Sequence, residues 1–522
     1  MIGLLVLGSA CAPAPVIEPA DDAPQIVLEP VGPDPAAVEA LAASLPGAVA
    51  EGGHHVVLLR FELPGLPTDD TFVAALWDYT AGGALRAEGR VADGLGGLRV
   101  APSVERPPPS LEEWEEAIDV VRRHPTLGPD LVAGRLEPFL SMPQLAGGER
   151  RAITVGLRGE GRVDEIVSVD LGSGEVLQYA GGAPPTARVG GLVCNPPPAS
   201  PQLGLGRGAQ GWARVRIVQR GQELWSAIVR RPSASSGVDG SGVELGEVRL
   251  RGKLLLRQAH VPFLNVQYDG DACGPFRDHQ WQENPFLVGP TRQQLGPGIR
   301  VVDWAKTMRE TRDDHGNFTG VAVYWDAAHA QGVILSELEA GWYRYMSEWR
   351  LGADGSLTGR WGFDAVANGC TCNVHNHHAS WRLDFQIGSG DDRVEQYDGG
   401  AWALVDQEGE RDRDDAGGRL WRVSDPVSGD AVRVEPGPGE DPHDLFSVGD
   451  VWVLRAHPDE VDDLNLQPRP SVQTYVPAFV DGEPVVDADL LMWWSGHFRH
   501  DDTNPAGNLS HTVEVRIVPE VW

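Results

Sequence analysis

The sequence predicts a mainly β protein: a large C-terminal β-sandwich preceded by two small α+β domains. Three observations carry this. Glycine and proline contribute 64 and 41 of the 522 residues, so chain reversals are frequent. From about residue 203 to the C-terminus, short strand-like runs alternate with turn residues. Helical periodicity is confined to two places near the N-terminus, each followed by a meander of strand-like runs. At roughly 150 residues per domain the length allows three or four domains, and 41% hydrophobic residues supply several cores.

The first stretch reads "MIGLLVLGSACAPAPVIEPADDAP". Its apolar run, Ile2 to Leu7, is too short to span a bilayer. Ser9 and Ala10 precede Cys11, and a tether rich in Pro, Ala and acids follows. This resembles the end of a bacterial lipoprotein signal, with Cys11 as the lipidated residue. Two features depart from it. No Lys or Arg occurs before Arg60, and Leu7 stands one position farther from the cysteine than the usual pattern places a leucine. The expectation is an exported protein, periplasmic or at the cell surface, with residues 1–33 as signal-like segment and tether. Cys194, Cys273, Cys370 and Cys372 remain, an even number that permits disulfides outside the cytoplasm without giving their pairing.

Residues 34–105 form the first small domain. Asp34-Pro35 supplies an N-cap and a proline at the first helical position, and Val38, Leu41 and Leu45 follow at helical spacing. The runs "HVVLLRFEL" and "TFVAALWDYT" then read as strands. Residues 106–183 repeat the order. Ser110 and Glu113 make a capping box, Leu111, Trp114, Ile118 and Val121 share a helical face, and three strand-like runs follow. A Pro-rich break covers 184–202, and 203–522 is the sandwich. "GLGRGAQG" (204–211) looks like a phosphate loop but opens no helix, so it carries no such function.

A net charge of −32 argues against nucleic acid as a partner, since phosphate binding needs basic stripes. An acidic surface attracts cations, protonated amines included. Only Lys253 and Lys306 are lysines, so the same charge is also read as solubility and composition.

The chemistry concentrates in "CTCNVHNHHASWRLDF" (370–385). Side chains at i and i+2 share a face only in a strand. His375, His377, Ala379, Trp381, Leu383 and Phe385 make one apolar face; Asn376, His378, Ser380, Arg382 and Asp384 make a polar one. Two neutral imidazoles turned into a core need partners, and a metal ion is one. Imidazole suits copper, zinc, iron or nickel. The alternative is a pair of hydrogen-bonded core histidines. Cys370 and Cys372 are further candidate ligands, but they fall on the opposite face from the histidine pair if the strand is unbroken, which favours a disulfide or structural role for them.

Two further stretches, "GVILSELEAGWYRYMSEWRLGADGSLTG" (332–359) and "FVDGEPVVDADLLMWWSGHFRHDDTNPAGN" (479–508), join the first. Together the three resemble the copper amine oxidases, from about residue 250 to the end. In that family a G-N-Y-[DE]-Y strand carries the tyrosine that becomes topaquinone, and "GWYRY" puts Tyr343 there. An H-x-H strand running into R-[LV]-D is matched by "HNHHASWRLD", which makes His375 and His377 the implied copper ligands. The third family histidine follows a hydrophobic strand and precedes an acidic, Pro-containing loop. "WWSGHFRHDDTNP" assigns it to His497, with His500 and His511 as local competitors. The two small α+β domains look like the family's cystatin-like domains ahead of its catalytic sandwich. The resemblance also implies a homodimer.

This chain departs from the family around the cofactor position. Tyr343 and His375 are 32 residues apart, shorter than is usual there. Phe263 stands where a tyrosine of a V-P-Y segment binds the quinone. The catalytic-base aspartate maps best to Asp278, without the glycines expected after it; Asp269 and Asp271 are alternatives. Trp342 and Arg344 replace the asparagine and acid that flank the tyrosine, and by alternation both point away from its face.

The resemblance implies copper held by three imidazoles, Tyr343 converted to topaquinone, and Asp278 removing a proton from a primary amine. The products would be aldehyde, ammonia and hydrogen peroxide, with O2 as oxidant. Beside this stand structural readings: Tyr343 as a core tyrosine, Asp278 as an ordinary loop acid, and the whole chain as a catalytically silent, metal-binding surface protein. A zinc hydrolase ranks last, because no HExxH motif accompanies the histidines.

Overall fold

The computed structural model describes residues 23–522 save 51, 66, 105–108, 140–150, 160–164, 179–196, 198–210, 237–241, 269–275, 279–282, 297, 341, 367–374, 439–449, 459, 462–475 and 501–509. Nor does it describe the side chains of residues 111, 178, 263, 265, 267, 268, 276–278 and 510. All five cysteines therefore lie outside the described residues, as do Asp269 and Asp271.

Helix caps follow the sequence signals. Asp34 accepts from the amide of Ala36 at 3.1 Å and starts the helix Pro35–Val49. Ser110 and Glu113 form the reciprocal capping box of Leu111–Arg123, at 2.8 and 3.2 Å. Val38, Leu41 and Leu45 bury the first helix against a four-stranded sheet that includes Val56–Glu62 and Thr71–Asp78. Trp114, Ile118 and Val121 bury the second against another sheet that includes Ala152–Arg158 and Glu165–Asp170. A buried polar joint ties the two units. Glu113 accepts from the Tyr79 hydroxyl at 2.6 Å and from Arg151 at 2.5 and 2.7 Å.

The rest is a sandwich of two large, mostly antiparallel sheets, ten-stranded and eleven-stranded among the described residues. Part of the expected tether belongs to it: Gln25–Glu29 pairs with Trp212–Gln219 at an edge of the ten-stranded sheet. The run "QIVLE" is β-prone and finds an open edge there, which local polarity around it does not announce.

At the centre of the ten-stranded sheet lie Lys253–Tyr268, His375–Phe385 and Leu490–His500, side by side. Facing them in the other sheet are Gln331–Ala340, Tyr343–Gly352, Leu357–Ala365 and Ser510–Val521. Ala379, Trp381, Leu383 and Phe385 share one core with Tyr345, Trp349, Trp361 and Val513, so the odd positions of the histidine strand point inward. Every residue of His375–Phe385 is buried, however. The even, polar face is roofed as well, which period-two alternation alone does not foresee.

Gly496 lets the layers approach. Paired with Ala379, it lies where an added Cβ would stand 2.8 Å from Trp381 and 2.9 Å from Val513 of the opposite sheet. Among the described residues no helix is long and apolar enough to cross a membrane.

Candidate metal and tyrosine site

Register places the functional side chains. A hairpin closes at Ala340 opposite Tyr343, so Tyr343 sits at the very start of its strand. His375 lies opposite His500 and His377 opposite Phe498. In the facing sheet Phe363 lies opposite His511. Directly opposed residues share a face. Tyr343, His375, His377, His500 and His511 thus meet between the sheets, each at most 6% exposed.

The contacts are short. The Tyr343 hydroxyl lies 3.1 Å from His375 Nε2. The Tyr343 ring meets the His377 ring edge-on at 4.9 Å, and His375 and His377 stand 4.7 Å apart. His500 stacks on His375 at 4.8 Å. His500 Nδ1 lies 3.3 Å from His511 Nε2, and Phe498 stacks on His511. Phe363 and Tyr345 wall the pocket at 4.4 Å from His377 and 5.8 Å from Tyr343.

Burial first, and the surrounding imidazoles second, hold His377 well below the usual histidine range. Its ring is therefore neutral at physiological pH, and Nδ1 has no hydrogen-bond partner among the described residues. A neutral imidazole with an unengaged ring nitrogen is what a transition metal takes as a ligand, so the donor chemistry fits copper. One pair of these nitrogens, His500 Nδ1 and His511 Nε2, is in contact. Among the described residues, the group of three potential ligands whose donor atoms all lie within 4.8 Å of one another is Glu408, Asp481 and Glu483, elsewhere in the fold. Gathering the imidazoles on one ion takes rotation about their side-chain torsions.

His497, the sequence's choice for a third ligand, is not brought to the pair. It lies opposite His378, on the other face of the sheet. There its ring meets His378 at 5.1 Å and its Nε2 lies 2.7 Å from Asp450 Oδ1. The physical reason is parity. His497 and His500 are an odd number of residues apart on one strand, so only one of them can face His375. Local sequence held both options; the cross-strand register puts His500, and not His497, on the face of His375.

Asp278 belongs to the strand Phe276–Asp278, and its backbone pairs with Leu264 on the strand that carries Phe263. The side chains of Asp278 and Phe263 lie outside the described residues.

Arg344 does point away from the tyrosine's face, as alternation requires, into a buried charge network. Its guanidinium donates twice to Asp314 at 3.0 Å, lies 3.3 Å from Glu339, and donates at 3.0 Å to the carbonyl of Tyr343. Beneath it, burial pushes Glu337 up to about 8, with Asp364 and Asp314 adding to the rise. Amides of Asn284 and Met308 donate to its two oxygens at 2.6 and 2.7 Å. Nothing in the sequence pattern announces this network, because Asp314 and Asn284 come from loops distant in the chain. Trp342, expected to point away as well, is instead buried in the same core as Tyr343, with the two rings 6.4 Å apart; it precedes the strand Tyr343–Gly352, so alternation does not govern it.

No protein-family model and no curated protein matches this chain. Solved structures do resemble it. A copper-containing benzylamine oxidase from Hansenula polymorpha superposes with a TM-score of 0.60 at 12% identity, over 94% of this chain and 97% of that one. The Pichia pastoris lysyl oxidase gives 0.56 at 11% identity over 89% and 85%. An Aspergillus nidulans amine oxidase gives 0.55 at 11% identity over 94% and 88%. At these identities the likeness is one of fold: the chain has an amine-oxidase-like architecture along nearly its whole length.

Proposed function

We propose that this protein is a copper-dependent oxidase of primary amines that uses a quinone derived from Tyr343. The overall conversion takes a primary amine, O2 and water to aldehyde, ammonia and hydrogen peroxide. One observation carries the proposal: a buried phenol, Tyr343, in hydrogen-bond contact with an imidazole of a four-histidine cluster, at 3.1 Å. An amine-oxidase-like fold around that cluster supports it.

In this reading His375, His377 and His500 hold the copper, His500 replacing His497. Copper and quinone, when present, supply the redox chemistry that amino-acid side chains lack. The chain's own residues do the rest. His377 presents a neutral ring nitrogen. Phe363, Tyr345 and Trp342 exclude water from the phenol. Arg344 fixes the peptide of Tyr343 from behind. Asp278, on the strand beside the histidine strand's neighbour, is the proposed proton acceptor. The same reading makes the protein an exported homodimer with Cys11 as its lipid attachment point.

A second reading is a catalytically silent metal-binding protein. The fourth imidazole, His511, favours it, since structural metal sites are closed while catalytic ones keep a position open. The two separate cleanly. The protein is expressed with copper in air, denatured, and stained by quinone redox cycling beside Tyr343→Phe. Staining of the parent alone supports the oxidase; equal staining removes it. Copper content of His375→Ala then tests the ligand assignment independently.

A further inference from the structure

We propose that Glu337, as a neutral carboxylic acid, is a positioning residue for Tyr343, acting through Asn284, Asp314 and Arg344. The inference deepens the reading above and rests on it only for the importance of Tyr343. A continuous chain of hydrogen bonds joins the two residues. The Arg344 guanidinium donates to the Tyr343 carbonyl at 3.0 Å and twice to Asp314, also at 3.0 Å. Asp314 Oδ1 accepts in addition from Asn284 Nδ2 at 3.0 Å, and the same nitrogen donates to Glu337 Oε1 at 2.6 Å. The Met308 amide holds Glu337 Oε2 at 2.7 Å. Glu337, Asn284, Asp314 and Arg344 are all buried.

Charge decides which acid here keeps a proton. Register sets Arg344 between Glu339 on one neighbouring strand and Asp364 on the other, and Glu337 lies two residues from Glu339 on the same face. With Asp314, four buried carboxyl groups gather about one buried guanidinium. Asp314 and Glu339 take Arg344. Arg309, on the short helix Met308–Thr311, is shared between Glu310 and Asp364. Arg360, farther along the face, pairs with Glu348, and Glu283, beside Asn284, pairs with Arg231. Glu337 is left with neutral donors, the Asn284 amide and the Met308 N–H. A buried carboxylate without a cation is strongly disfavoured, so Glu337 is the acid that stays protonated. Burial first, then the charges of Asp364 and Asp314, hold it up to about 8. Above that pH a second negative charge develops beside Asp314, on the nitrogen that both share. Repulsion displaces Asp314 and attraction draws Arg344 towards Glu337, which slackens the bond that fixes the Tyr343 carbonyl.

Metal-free protein labelled with 13C at the tyrosine Cζ tests this by nuclear magnetic resonance between about pH 6 and about pH 10. Tyr343→Phe identifies the Tyr343 signal among the eight tyrosines. In the parent this signal should shift with a midpoint near pH 8. Glu337→Gln should abolish that midpoint, and Glu337→Met replaces it if the glutamine variant does not fold. A merely structural role would not move this titration. In copper-loaded protein in air, the ratio of variant to parent rates of quinone formation should rise about tenfold from pH 7 to pH 9, as loss of one proton with that midpoint requires. A parent signal that stays still near pH 8, a variant that titrates like the parent, or an unchanged ratio overturns the proposal. A parent that forms no quinone while its Tyr343 signal titrates as stated supports the positioning role and overturns amine oxidation alone.

Discussion

Replacing Glu337 by glutamine should reverse, between pH 4.5 and pH 9, which of parent and variant is the more stable. Glu337 is 1% exposed and its folded-state value is raised from 4.5 to about 8, chiefly by burial. Between those pH values the unfolded chain has released the proton and the folded chain holds it. Unfolding therefore releases a proton, and stability falls as pH rises through the window. Below about 4.5 both states are protonated and the loss is absent; above about 8 it is complete. The gap corresponds to roughly 5 kcal/mol at 1.36 kcal/mol per decade.

Glutamine does not titrate, so Glu337→Gln escapes this loss. It carries a smaller, pH-independent one. Asn284 and the Met308 amide both donate to the carboxyl, and the glutamine NH2 cannot accept from either. One donor is left unsatisfied, at about 1–3 kcal/mol. The variant should thus be less stable than the parent at pH 4.5 and more stable at pH 9. Urea unfolding followed by tryptophan fluorescence across this range measures it, and the other carboxylates cancel in the difference. Parallel profiles would refute the buried, protonated state of Glu337.

Three further outcomes are expected. Glu113→Ala removes the shared acceptor of Tyr79 and Arg151 and leaves a buried guanidinium uncompensated, which should cost about 3–5 kcal/mol and expose the joint between the small units to limited proteolysis. Gly496→Ala puts a methyl 2.8 Å from Trp381 and 2.9 Å from Val513, so calorimetry should show about 1–3 kcal/mol of destabilisation. His497→Ala should leave copper content unchanged but destabilise by about 2–3 kcal/mol, because the buried Asp450 loses the imidazole at 2.7 Å; loss of copper in this variant would restore His497 to the site.

Much of the architecture is readable from local pattern. The caps at Asp34 and Ser110 are short-range hydrogen bonds between residues two or three apart, so sequence spacing suffices to find them. The inward face of His375–Phe385 follows from period-two alternation, again a local property. The opposite face was foreseen as polar but not as buried. Covering it takes segments remote in sequence, such as His457 and Glu460, whose carbonyls accept from Arg382 at 3.1 and 2.9 Å.

Residue types and their periodicity were enough to establish a β-rich chain, two helix-led small units, a paired-histidine strand and a tyrosine able to meet it. Alternation says which residues of one strand share a face, but it leaves open how that strand aligns with its neighbours. The placing of His500, rather than His497, beside His375, the arrival of His511 from the facing layer, and the Arg344–Asp314 clamp behind Tyr343 each hang on pairing between distant segments. A shift of one residue in that pairing exchanges the two faces of a strand, so which side chains meet between the sheets follows from long-range register, which no short window of sequence contains.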